Sequence, residues 1–141
     1  MANTDILREW YSRVWEQGDI SAIDELFVPD TLAKGIVPDM ELGVDELKFL
    51  VATIQEMITP PKVRIDKLVE QGDWVAGFMT LQAETLDART PIEVGAMVFC
   101  RCRDGRIVEA YNSFDFVGFF EQLDLLPENT IALCMSGQRI G

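Results

Sequence analysis

Apolar residues recur near the start of the chain at Ile6, Leu7, Trp10, Tyr11, Val14 and Trp15, a spacing that draws one stripe down an α-helix. Asn3 or Thr4 is placed to cap that helix. Gly18 ends the run, and Asp19 is placed to cap a short second helix that turns Ile20, Ile23, Leu26 and Phe27 inward. The segment VPDTLAKGIVPDMELG, broken by prolines and glycines, reads as a loop with a short strand over 32–36. A third helix is predicted over 44–58, with Val44, Leu47, Leu50, Val51, Ile54 and Ile58 on one side. Thr59-Pro60-Pro61 stops it.

Beyond the prolines the period changes from 3.6 to 2. KVRIDKLVEQ, DWVAGFMTLQAETL, PIEVGAMVFCRCR and RIVEAYNSFDF predict four strands. Gly72-Asp73 and Asp104-Gly105 are hairpin turn signals. In the second of these strands both faces are apolar, Trp74, Ala76 and Phe78 alternating with Val75, Met79 and Leu81. Such a sheet needs cover on both sides. The helices supply one cover, and a second copy of the chain, docked on the outer face, is the expected other. A short helix is predicted over 116–123, and the tail 128–141 shows no period. Helices, then an antiparallel meander, then a short helix predict an α+β fold in which helices gather on one face of a curved sheet. A small-molecule cavity is expected between the sheet and the first and third helices.

Length and composition sharpen this. A chain of 141 residues with 48% hydrophobic content has the size of one domain and enough apolar residues for a core. A net charge of −12 disfavours nucleic acid and anionic membrane surfaces. No apolar run is long enough for a membrane span, and the N-terminus lacks the basic start of a secretory signal. Three cysteines without a framework point to a reducing compartment, most simply the cytoplasm. Cys100 and Cys102 are read as buried thiols on one strand face. The absence of histidine excludes serine triads, Cys-His dyads and histidine-ligated metals. Neither a phosphate-cradling glycine loop nor a metal-binding cysteine spacing is present, so no cofactor and no metal are expected.

Three stretches resemble a known family. WYSRVWEQGDISAIDELFVPD is similar to the opening helix, Gly-Asp break and second helix of the nuclear transport factor 2-like (cystatin-like) superfamily. LVEQGDWVA is similar to its central hairpin. RCRDGRIVEAYNSFDFVGFFEQLDLLP resembles the closing hairpin, strand and helix of the SnoaL-like polyketide cyclase group. The resemblance implies a single domain over 1–141, with its core in 3–127, and a cone-shaped sheet. It also implies a cofactor-free cyclase or isomerase that moves a proton on a hydrophobic carbonyl compound. A non-catalytic ligand-binding or protein-interaction module on the same fold is the alternative.

Carried over residue by residue, the resemblance makes Asp115, four positions after Tyr111, the acid/base. Tyr11, seven before Gly18, stands where the ketosteroid isomerases of the same superfamily place the hydroxyl that steadies an enolate. Trp15, Phe78, Tyr111 and Ser113 would line the substrate site. The family's Arg and His along the central strand are absent: Gly77-Phe78 and Ala83-Glu84-Thr85 stand there. For Asp115 two readings stand. It caps the helix that follows, or it shares a cavity-facing strand face with Tyr111 and Ser113, enclosed by apolar walls, hydrogen-bonded to Tyr11 and hard to ionise. Arg101, Arg103 and Arg106 read as a solvated hairpin end, and Glu93 as a solvated edge residue.

Overall fold

The computed structural model describes residues 2–141. Helix α1 (Asn3–Glu9) runs directly into a π-helical stretch, Trp10–Glu16, and is followed by α2 (Ala22–Leu26), β1 (Ala33–Lys34) and α3 (Val44–Gln55). Four long strands come next: β2 (Lys62–Gln71), β3 (Trp74–Glu84), β4 (Pro91–Arg103) and β5 (Arg106–Phe114). They are followed by α4 (Phe116–Gln122) and, in the tail, α5 (Thr130–Met135). The sheet order is β1-β5-β4-β3-β2, antiparallel except for the short parallel pair β1 with β5. The fold is α+β, as the change of period predicts. No helix among the described residues is long and apolar enough to cross a membrane.

The helical stripe packs as expected. Ile6, Leu7, Trp10, Tyr11 and Val14 are buried against Val51, Val75, Met79 and Cys100. Neither Asn3 nor Thr4 caps α1: the cap position is Ala2, and the Asp5 carboxylate accepts its backbone N–H at 3.3 Å. Helix α3 stops at Gln55, short of 58, because Ile58 and Thr59 leave the helix to pair with Thr85 and Glu84.

Two irregularities shape the sheet. In β2 the pairing register shifts between Ile65 and Lys67, so Asp66 is an extra residue. In β5 Glu109 pairs with Arg101 while Ile107 pairs with Cys102, so Val108 is an extra residue. Each bulge bends its strand and reverses which parity faces the helices. Ile107 is buried on the helix side, but beyond Val108 that side is taken by Ala110, Asn112 and Phe114.

Candidate active site

The cavity is built on the π-helical stretch. Its i→i+5 bonding, seen in Gln17 N–H to Ser12 C=O at 3.1 Å, aligns residues five apart. Trp10 and Trp15 therefore meet edge to face with ring centroids 6.4 Å apart. The widened turn is latched from both sides. The Gln55 amide donates to the Val14 and Trp15 carbonyls at 2.8 and 3.2 Å, and the Glu16 carboxylate accepts the Val63 N–H at 2.8 Å.

Opposite it, Ala96 on β4 lies between Met79 on β3 and Phe114 on β5. A small side chain between two large ones leaves a gap, and the cavity occupies it. The cavity is small, with a volume of about 60 Å3. Its walls are apolar, with Trp10, Trp15, Leu50, Ile54, Met79 and Phe114 among them. Its inward polar side chains, apart from the two indoles, are Tyr11 and Asn112, and no Asp, Glu, Lys or Arg of the described residues lines it.

Tyr11 is 9% exposed. Burial pushes its phenol well above the ordinary tyrosine range. The nearby Cys100 adds to this, and the Trp10 indole pulls weakly the other way. The hydroxyl is therefore a neutral hydrogen-bond donor. Cys100 and Cys102 are buried behind the sheet surface with sulfurs 4.0 Å apart, and the Cys102 thiol and then burial push Cys100 up.

Of the expected site residues, Tyr11 and Trp15 line the cavity, and Ser113 lies at its rim, exposed on its other side. Phe78 and Tyr111 do not line it. Phe78 has the outward parity of β3 and is 40% exposed. The Val108 bulge turns Tyr111 outward, where its hydroxyl donates to Glu109 at 2.5 Å and its ring joins Phe99 and Trp74. Asp115 is exposed and takes the cap position of α4, its Oδ1 accepting the Gly118 N–H at 3.0 Å. It is not bonded to Tyr11. Gly118 suits this cap, since a Cβ there would lie 2.3 Å from the Asp115 Oδ2. Asp115 sits in an open groove that shares Ile36, Ser113, Phe114 and Phe116 with the cavity, so it stands at the mouth and not inside.

Asn112 is the polar cavity residue that the sequence reading missed. The signal was the odd spacing of Ile107 and Ala110, two small or apolar residues that cannot share a face in an unbroken strand.

A model of the SnoaL-like polyketide cyclase family matches residues 5–123. No curated protein matches the chain. Among solved structures, wild-type IdmH, a candidate polyketide cyclase from Streptomyces antibioticus, is 21% identical with a TM-score of 0.76, over 88% of this chain and 99% of that one. AclR, a candidate hydroxylase from Streptomyces galilaeus, is 17% identical with a TM-score of 0.79, over 96% and 89%. A protein from Catenulispora acidiphila with a ketosteroid isomerase-like fold, in complex with trimethylamine, is 21% identical with a TM-score of 0.71, over 85% and 92%. These identities speak for the shared fold alone. The family model runs from α1 through the end of α4, across every element that builds the cavity, and on that match the chain belongs to the SnoaL-like polyketide cyclase family.

Proposed function

We propose that the protein binds a small hydrophobic carbonyl compound in this cavity, with the Tyr11 hydroxyl donating to the carbonyl oxygen. The observation that carries the reading is a protonated, buried phenol on the wall of an otherwise apolar cavity. A carbonyl accepts that hydrogen bond, and the aromatic and aliphatic walls take the rest of the ligand. The test is titration with 2-acetylnaphthalene followed by fluorescence of Trp10 and Trp15. Saturable quenching is expected, and Tyr11→Phe weakens binding about fivefold to tenfold. No binding at the solubility limit would sink the reading.

A second reading makes the protein a cofactor-free enzyme of the cyclase or isomerase kind. Family membership supports it, as does the position of Asp115 at the mouth, where Oδ2 accepts no hydrogen bond from the described residues. Asp115 would take a proton α to the carbonyl while Tyr11 holds the developing enolate oxygen. Exchange of the acetyl protons of 2-acetylnaphthalene with D2O, followed by NMR, tests it. Acceleration by the native protein that Asp115→Asn abolishes is the expected outcome. No acceleration over buffer leaves binding without catalysis, and equal acceleration by the two proteins takes Asp115 out of the step.

A further inference from the structure

Asn112 faces the cavity from β5, level with Val98 on β4, and its side-chain amide makes no hydrogen bond to any described residue. This half-buried amide, set among apolar walls and without a protein partner, is left to take its hydrogen bonds from a ligand or from water. Tyr11 offers a donor on the same cavity, and Asn112 offers a donor and an acceptor. Neither carries charge. No cation of the described residues lines the space, while Asp115 stands exposed at its mouth and the chain as a whole carries −12.

We infer that Asn112 determines ligand specificity, acting with Tyr11 as an uncharged polar pair that admits neutral, oxygen-bearing ring compounds and rejects carboxylates. This rests on the reading that the cavity is the ligand site. An anion entering would pass Asp115, lose its water and find no positive partner. A hydrocarbon would enter but leave the amide and the phenol unsatisfied. A neutral ketone or phenol meets both needs.

The experiment uses three probes of one shape at pH 7.5: naphthalene, 2-acetylnaphthalene and 2-naphthoate. In the native protein the ketone binds at least about fivefold tighter than the hydrocarbon. The carboxylate binds at least about a hundredfold weaker than the ketone. In Asn112→Leu the preference for ketone over hydrocarbon falls at least about threefold. In Asn112→Asp, which keeps the shape, ketone binding becomes pH-dependent and tightens as the new acid is protonated. Circular dichroism confirms that both variants are folded. Naphthoate binding within tenfold of the ketone overturns the inference, and so does an unchanged preference in folded Asn112→Leu, in each case with the ligand-site reading intact. Failure of both hydrocarbon and ketone to bind overturns the two together.

Discussion

At the scale of single residues, Tyr11 and Asp115 exchange the environments that an acid/base pair would need. The phenol is buried and held protonated, while the carboxylate is exposed and tied to a helix end. Because the folded-state pKa of Tyr11 lies above its unfolded value of 10.0, its contribution to stability is complete below pH 10 and declines as pH rises beyond it. Melting temperatures between pH 9 and 11.5 should therefore fall, and should fall less steeply in Tyr11→Phe. For Asp115 the cap makes a separate claim. Asp115→Ala should cost about 1 kcal/mol in urea denaturation, while Asp115→Asn, an equally good cap, should cost little. Equal losses in the two would show that the charge, and not the cap, is what matters to stability. Why Asp115 caps was legible in the chain, since an acid three residues before Gly118 at a strand-to-helix join is placed for it.

At the scale of elements, the cavity depends on three local departures from regular structure. The Val108 bulge sets which face of β5 looks inward. The π-helical stretch brings Trp10, Tyr11 and Trp15 onto one wall, and the Gln55 amide serves two of its carbonyls. Gln55→Leu should then cost about 1–3 kcal/mol and shift the emission of Trp15 as the turn relaxes; emission and stability both unchanged would mean that the stretch holds without its latch. Gly35 is the third. Its φ is +84°, and a Cβ there would lie 2.5 Å from the backbone oxygen of Asn112. Gly35→Ala should destabilise the protein by about 1–3 kcal/mol through backbone strain, and it should weaken 2-acetylnaphthalene binding by pushing the loop off β5. Retained affinity would separate that loop from the site.

For the whole molecule, the outer face of the sheet is apolar and uncovered. Trp74 and Phe99 stack there at 4.5 Å, and Val69, Phe78, Met97 and Phe99 are exposed by 40–64%. Such a contiguous apolar face favours a partner. We propose that a second copy covers it, as the two-sided apolar strands already suggest. Sedimentation should give twice 15.9 kDa at micromolar concentration, and Phe99→Glu should yield the monomer. A monomeric native protein would refute the proposal. The face also carries Lys34, Lys62, Arg64, Lys67, Arg101 and Arg103 against Glu41, Asp66, Glu84, Glu93 and Glu109, so it is nearly balanced in charge. Each chain carries a net charge of −12, so two copies repel at long range and added salt should tighten the dimer.

The chain alone determined the order of the elements and the α+β class, because hydrophobic period is a local property and the switch from 3.6 to 2 at the prolines is sharp. It also determined that Tyr11 and Trp15 point into the interior, since the helical stripe leaves them nowhere else to go. Which side of β5 lines the cavity was decided only in three dimensions. Cross-strand pairing of Cys102 with Ile107 and of Arg101 with Glu109 leaves Val108 over, and one leftover residue sends Tyr111 and Ser113 to one face and Asn112 and Phe114 to the other. Strand parity is a sum over the whole strand, so a single unpaired residue changes every side chain beyond it.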